Sequence, residues 1–209
     1  MRAFGAVTPS ARFVADCVAL DFLNSADRSR RDNVDWMSSG DNMVSWLDQA
    51  GLVPRLILRR LQCESDQIAL DAVAARAREL RDWLRVFVNE RRGRPLVNVT
   101  ISELGLLNRT LAADEKFSRV VPFDAQGSAA TLHLVRRWSF AGSLLPPIAE
   151  AVADLICQED FSRIKTCKGC GLVFLDRSRR QGRKWCRMST CGNRAKQAAH
   201  RKRFEDSQH

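Results

Sequence analysis

Four of the seven cysteines fall within one short stretch as two close pairs. Cys167 and Cys170 are separated by two residues, and Cys186 and Cys191 by four, with a 15-residue insert between the pairs. Each pair can offer two sulfurs from one tight turn, and the insert is long enough to bring the second turn back to the first. That is the requirement of a tetrahedral thiolate site for Zn²⁺. Four thiolates close the coordination sphere and leave no place for a water, so one structural zinc is expected rather than a catalytic one. A segment of about 40 residues buries too little apolar surface to fold alone. Structural zinc supplies about 10–16 kcal/mol in such peptides, so metal binding and folding become one equilibrium. The alternative, two disulfides, belongs to an exported chain. The first twenty residues contain Arg2, Arg12 and Asp16 and no uninterrupted apolar signal core, so a cytoplasmic location is expected. Cys17, Cys63 and Cys157 are widely spaced and odd in number, and they are expected to be buried free thiols.

The insert predicts a hairpin. Leu172, Val173, Phe174 and Leu175 form an apolar β-prone run, residues 176–182 are polar and end in Gly182, and Arg183 to Cys186 return. Ser189 and Thr190 then form a plausible cap pair for a helix from Cys191 to Phe204. Ala195, Ala198 and Ala199 make a small apolar stripe suited to packing on the hairpin. A knuckle, a hairpin and a helix whose first turn brings the last ligand make a treble-clef-like finger.

These residues carry a family likeness. Cys191-Gly192-Asn193-Arg194, followed by Lys196 and the run His200-Arg201-Lys202-Arg203, resembles the CGNR zinc finger. Phe174, Asp176, Ser178-Arg179, Trp185-Cys186 and Met188 fit the same pattern. Upstream, Leu20-Asp21-Phe22-Leu23-Asn24-Ser25 resembles the LDFVNT motif of the ABATE domain, departing at Leu23 and Ser25; Trp46-Leu47 and Gly51-Leu52 fit its next helix. The finger likeness is the more specific of the two and covers the shorter stretch. The resemblance implies a bacterial, stress-linked transcription regulator whose finger binds DNA.

Charge is concentrated where the metal is. Residues 161–209 hold 14 Lys and Arg against 3 Asp and Glu, a net of +11, whereas residues 1–160 hold 20 against 21, a net of −1, so all the excess positive charge sits on the finger. A basic module on a metal-rigidified scaffold beside a near-neutral domain is what a polyanion-binding protein looks like. Arg177, Arg179, Arg180, Arg183 and Lys184 are expected to face phosphates from the hairpin, and Arg194, Lys196, Arg201, Lys202 and Arg203 from the helix. Arg194 and Gln197 are the candidates for reading base edges. Arg194 also has a structural alternative, a hydrogen bond to the knuckle, and Asn193 reads as a helix-start residue.

The rest of the chain must position this module. Its 45% hydrophobic and 28% charged residues are globular values. An extended segment is expected over Val18 to Phe22, then a charged loop at 27–32. Asp21 and Asn24 are candidates for a ligand pocket, with turn closure by their own side chains as the stronger reading. Helices are predicted over Met43–Ala50, capped by Asp41-Asn42 and ended by Gly51, and from Pro54. The longest runs from Ser65 to Arg91-Arg92-Gly93, its inner face carrying Ile68, Ala72, Ala75, Leu80, Trp83, Leu84, Phe87 and Val88 and its outer face Arg76, Glu79, Arg85 and Glu90. Thr100 and Glu103 form a capping box for a helix to Glu115. Strands follow over Arg119–Phe123 and Thr131–Trp138 around the loop 124–129, Leu132, Leu134 and Arg136 sharing one face. A last helix starts at Pro146-Pro147 and buries Ala151, Val152 and Leu155.

The fold class is therefore α+β: a helix-rich domain over residues 1–160 with a small antiparallel hairpin, then a basic zinc finger over 161–209. The linker is short, so the two should pack together. Three histidines (His133, His200, His209), no phosphate-cradling glycine loop and no paired carboxylates argue against an enzyme. The favoured reading is a regulator that binds double-stranded DNA, with residues 1–160 as a sensor of unknown effector or a dimerisation unit. A homodimer is expected, because one finger contacts few base pairs. No 18-residue apolar run points to a membrane. An RNA- or ribosome-associated protein and a zinc-stapled protein-interaction module are the alternatives.

Overall fold

The longest helix, α4 (Gln67–Arg91), is the post around which the other elements pack. In the computed structural model, residues 10–26, 34–122 and 130–206 are described; the charged loop 27–32, the loop 124–129, Phe123 and His209 lie outside them, as do the side chains of Lys202 and Phe204. The buried side of α4 is Leu70, Val73, Ala74, Ala77, Leu80, Arg81, Leu84, Phe87 and Val88, a continuous stripe at helical spacing. This corrects the phase expected for its first half. Ile68 is 80% exposed, and Ala72 and Ala75 also face out. The reason lies on the neighbouring helix α2 (Gly40–Ala50), whose Gly40 sits against the Leu70 backbone and donates to Asp71 Oδ1 at 2.7 Å. That contact sets which side of α4 points inward.

Helix α2 is capped by Ser39, whose hydroxyl accepts from Asn42 N at 3.3 Å, so Asp41 and Asn42 belong to the first turn rather than the cap. It ends at Gly51, in the left-handed region. Helix α3 (Arg55–Glu64) starts directly after Pro54.

The stretch expected to be extended is instead a short buried helix, α1 (Val18–Leu23). It packs against α4, α6 and the finger's strand β4. Among the described residues its backbone pairs with no strand, the free edge of β4 being met by the Asn24 side chain and Ala15 O instead. A buried backbone without ladder partners must satisfy its own polar groups, and a helical turn does that. Phe22 and Phe13 both meet Trp46 in tilted ring contacts, at ring separations of 5.8 Å.

The capping box at Thr100 forms, with Thr100 N donating to Glu103 Oε2 at 2.8 Å and Glu103 N to Thr100 Oγ1 at 3.4 Å. Residues 101–104 are a turn, however, and the helix proper, α5, spans only Gly105–Ala112. Strands β1 (Lys116–Pro122) and β2 (Ala130–Arg136) start earlier than predicted and pair antiparallel in register Lys116↔Arg136 to Pro122↔Ala130. Their base is tied down by Arg136, which grips Asp114 (2.6 and 2.8 Å) and Glu150 (2.5 Å). Helix α6 (Pro146–Gln158) starts at the proline pair and buries Ala151, Val152 and Leu155 as expected. Cys63 and Cys157, expected to be buried, are exposed on α3 and on the last turn of α6, and Cys17 is half-buried. No helix among the described residues is long and apolar enough to cross a membrane.

The finger is built differently from the predicted hairpin. Strand β4 (Val173–Leu175) pairs with β3 (Ile164–Thr166), which precedes the first cysteine, and not with Arg183–Cys186. The turn of this ladder is the knuckle itself. Gly171, at φ 76°, adopts the left-handed conformation that closes it, its N–H donating to Cys167 O at 2.9 Å. After the loop comes a five-residue π-helical turn, Met188–Gly192, and then α7 (Asn193–Asp206). Two small antiparallel ladders on a helix-rich body, the second joined to a cysteine cluster and a terminal helix, make the α+β chain with a treble-clef-like finger.

Candidate metal centre and its basic surface

Cys167 and Cys170 come from the β3–β4 turn, Cys186 from the end of the insert, and Cys191 from the π turn. Their four Sγ atoms lie within 4.8 Å of one another. Cys170 Sγ and Cys186 Sγ are 3.7 Å apart, and Cys186 Sγ and Cys191 Sγ 3.8 Å. A tetrahedron with Zn–S bonds of about 2.3 Å has edges of about 3.8 Å, so the sulfurs already stand where zinc would hold them. A disulfide would need about 2.05 Å, and all the cysteines are free. Among the described residues this is the cluster able to hold a metal ion, and its chemistry fits one structural zinc.

The thiols show why a dication belongs there. Burial opposes a thiolate at Cys167, but backbone hydrogen bonds from Cys186, Gly169 and Cys170 outweigh it and bring that thiol down to about 7. Burial and the neighbouring sulfurs of Cys170 and Cys167 push Cys186 well above the ordinary range, and burial raises Cys170 too. Several thiolates cannot share this space without a cation to offset them. Gly169 N donates to Cys167 Sγ at 3.4 Å, and Arg12 reaches Cys170 Sγ at 3.9 Å from the N-terminal segment.

A second organiser lies below the loop 176–183. Asp176 is fully buried, and its carboxylate accepts from Ser178 N (3.0 Å), Ser178 Oγ (2.6 Å), Arg183 N (3.0 Å) and Lys165 Nζ (2.8 Å). Phe174 is fully buried with the Arg183 guanidinium over its ring. Trp185 is half-buried beside Gly169 and Gly192. A Cβ at Gly192 would displace the end of the Met188 side chain and lie 3.2 Å from Trp185. Asn193 opens α7, and its Nδ2 donates to Ser189 O at 3.2 Å.

The residues read as a candidate pocket join the finger to the body. Asp21 Oδ1 accepts from Val14 N (2.8 Å) and Ala15 N (3.0 Å), closing the turn before α1. Burial raises its pKa to about 6, against the pull of those two donors. The Asn24 amide behaves as a strand partner for β4, donating to Val173 O (2.7 Å) and accepting from Val173 N (3.1 Å). Leu175 N donates to Ala15 O at 2.8 Å. Ser25 accepts from Arg81, a buried guanidinium that also grips both oxygens of Asp35 at 2.6 and 2.7 Å. Sequence reasoning missed Arg81, a charged residue inside an apolar helical stripe; its even spacing with Ala77 and Leu84 was the available signal.

The basic residues divide into two sets. Arg177 donates to Glu159 (2.5 Å) and to Asp16 O (3.1 Å), and Arg183 pairs with Asp16. Arg187, which the sequence reading passed over, donates to Phe13 O at 3.1 Å. These arginines fasten the finger to the N-terminal segment. Arg179, Arg180, Lys184, Arg194, Lys196, Gln197, Arg201 and Arg203 are exposed. Among the described residues none of these cations has a carboxylate within ion-pair reach. Among the described residues Arg194 makes no hydrogen bond to the knuckle, and Arg203 donates to Ala199 O of its own helix. In α7 only Ala195 is half-buried; Ala198 and Ala199, expected to pack on the hairpin, are exposed, because the helix leaves the body directly from the π turn.

Family models match both parts of the chain. One, ABATE, described as "Putative stress-induced transcription regulator", covers residues 16–159. The other, the CGNR zinc finger, covers residues 163–204. Comparison with curated proteins finds no match.

Proposed function

We propose, for a chain that belongs to the ABATE family and carries a CGNR zinc finger, that it regulates transcription by binding double-stranded DNA through the finger. One observation carries this reading: α7, a helix of 14 residues or about 21 Å, is exposed along its described length apart from half-buried Ala195, and its Arg194, Lys196, Arg201 and Arg203 have no acidic partner among the described residues. A helix whose only apolar stripe is three alanines, two of them exposed, has little surface to bury and is suited to a charged partner. Its width suits a DNA major groove. Arg194, Gln197 and Arg201 share one face at i, i+3 and i+7 and would meet base edges. Arg179, Arg180 and Lys184 on the loop, with Lys196 and Arg203, would meet phosphates; Lys202 extends the same basic run.

Zinc holds the π turn, and so the start of α7, against the knuckle; when bound it supplies a structural cross-link and no chemistry. The N-terminal domain grips the finger through Asn24, Ala15, Asp16 and Glu159, so its state would bear on how α7 is presented. The protein acts in the cytoplasm, catalyses no reaction, and works as a homodimer that pairs two fingers on two half-sites. The test is a titration of zinc-loaded protein with random duplex DNA and with single-stranded RNA at several salt concentrations, with and without a chelator. Neutralisation of about five phosphates gives a log–log salt slope of about −4.5. Duplex binding with that slope, lost on chelation and weakened by Arg201→Ala plus Arg203→Ala, supports the reading. Preference for RNA, or no nucleic-acid binding at low salt, refutes it.

A further inference from the structure

We propose that β2 is the seat of self-association: two copies of this chain pair their β2 edges antiparallel, about a two-fold axis at His133. Beyond the first rung, where Lys116 and Arg136 bind Asp114 and Glu150, β1 and β2 pack chiefly on each other. A two-stranded hairpin alone in water is marginal, and added strands are what stabilise one. The register sets Leu134 opposite Ser118 and Leu132 opposite Val120 on one face. Leu134, Leu132 and Val120 are 67%, 71% and 66% exposed.

One bond shows which backbone groups are free. Arg137 N donates to Glu115 O at 2.7 Å, so these two residues, next in the β1–β2 register, are a hydrogen-bonded pair. Bonded and non-bonded pairs alternate along an antiparallel ladder. The odd-numbered residues of β2 therefore bond β1, and Ala130, Leu132 and Leu134 turn their N–H and C=O groups to the outer edge. Among the described residues nothing bonds them there. Exposed edges are normally blunted by charge or proline. Strand β1 is, by Lys116, Arg119 and Pro122, whereas β2 carries neither from Ala130 to Val135.

The occupant this edge fits is a second copy of itself. His133 is the midpoint of β2, and Leu132-His133-Leu134 reads the same in both directions. Antiparallel pairing centred there overlaps the whole strand and sets Leu132 opposite the partner's Leu134, twice over. Both are bonded pairs, because their polar groups already point outward, and together they make four hydrogen bonds. The two apolar faces become one, with leucine against leucine. Any other centre shortens the overlap. Charge agrees, since residues 1–160 carry −1 against +11 on residues 161–209, so copies meet with least repulsion through this domain. A seven-residue strand is about 23 Å long and a sheet about 10 Å thick. The contact is thus at the small end of interface sizes, and a dissociation constant of about 1–100 µM is expected. This edge is then the interface of the homodimer proposed above, and it rests on that part of the reading alone.

The experiment contains no DNA, so its failure is separate from failure of the DNA reading. Sedimentation equilibrium of the zinc-loaded full chain from about 1 to 200 µM should show a reversible dimer. Leu132→Lys should weaken it about tenfold or more, while Ile68→Lys, on the 80%-exposed outer side of α4, should not. Cross-linking reads the position. In a chain whose exposed Cys63 and Cys157 are changed to Ser, His133→Cys and Arg119→Cys are each oxidised with glutathione disulfide. A non-bonded pair has Cα atoms about 4.5 Å apart, within disulfide reach. The two Arg119 positions stand three strand spacings, or about 14 Å, from each other. His133→Cys should therefore form covalent dimer at least about tenfold faster. A dimer in which the two cysteine variants cross-link equally, or which is indifferent to Leu132→Lys, overturns this interface and leaves the homodimer standing. Monomer throughout the concentration range overturns both.

Discussion

Asp176 gathers four donors under a loop that must pass from β4 to Cys186, and replacing it by Ala removes that acceptor from all four, Lys165 alone keeping another in Gln181 O. Lys165, 28% exposed, can turn to water, and the Ser178 hydroxyl can rotate. The N–H groups of Ser178 and Arg183 have less freedom. A buried donor left unpaired costs about 1–3 kcal/mol, so two or more of them place Asp176→Ala at about 4 kcal/mol. Zinc binding and finger folding are one equilibrium, and about 1.4 kcal/mol corresponds to tenfold. Apparent zinc affinity should therefore fall by about 10³. Competition against a chromophoric chelator measures it, and thermal unfolding of the zinc-loaded chain provides an independent reading. Asp176→Asn should lie between, because its carbonyl still serves the Ser178 pair while its NH₂ meets donors. The carboxylate also sets a pH signature. Burial alone would raise its pKa, but Lys165, Ser178 and the Arg183 N–H outweigh it and hold it well below the usual carboxylate range. A depressed folded pKa gives stability that is present above the ordinary value of about 4 and lost as pH falls through the folded one. Zinc affinity of Asp176→Ala within about threefold of the parent, well under one 1.4 kcal/mol decade, would refute the reasoning.

Asp21 should have the opposite pH signature. Its folded pKa of about 6 exceeds the unfolded value, so its contribution is full below about pH 4 and lost as pH rises through 6. Asp21→Asn, which keeps the acceptor for Val14 and Ala15, should flatten that part of the stability-versus-pH curve by about 3 kcal/mol, measured by urea unfolding at stepped pH. Gly40→Ala should cost about 1–3 kcal/mol, because the new Cβ meets the Leu70 backbone, with its carbonyl carbon at 2.7 Å. Gly192→Ala should cost less, since the first atom met belongs to the mobile end of Met188, which is 49% exposed; thermal unfolding of the two variants side by side checks the order. Asp35→Ala strands the buried Arg81 guanidinium and should cost about 3–5 kcal/mol, whereas Arg81→Met, which removes the charge itself, should cost less; urea denaturation distinguishes them.

What could be read from the chain follows the range of the interactions involved. The four cysteines were legible because their spacing is local and the donor chemistry admits few alternatives. The α4 boundaries, the proline start of α6 and the Thr100 box were legible for the same reason. The partner of β4 was not. Ile164–Thr166 is three residues long with Lys165 and Thr166 in it, too short and too polar to show as a strand, whereas Arg183–Cys186 looked like the return arm of a hairpin. Asn24 and Val173 lie 149 residues apart, and no pattern within either neighbourhood announces the pairing. Helix α1 carries β-prone residues, and its helicity is imposed by burial among three elements. Ile68 was misplaced because the phase of α4 is decided by Gly40 on another helix.

The division among the finger's arginines explains how one small module can be both held and presented. Had all of them faced outward, the finger would be held to the body only by the packing of β4 on α1 and its bonds to Asn24 and Ala15. Arg177, Arg183 and Arg187 instead reach Glu159, Asp16 and Phe13, and the β4 edge is closed by Asn24 and Ala15. These contacts lie on the face of the finger toward the body. The cations without acidic partners among the described residues, Arg179, Arg180, Lys184, Arg194, Lys196 and Arg201, lie on the loop and on α7. Net charge alone could not separate the sets, since an arginine in an ion pair and one in solvent count equally in the sequence. The separation means that a polyanion meeting α7 need not break the contacts that dock the finger. The N-terminal domain and the cysteine cluster remain joined by direct hydrogen bonds, Asn24 to Val173 of β4 and Leu172 O to Cys167 N of the knuckle.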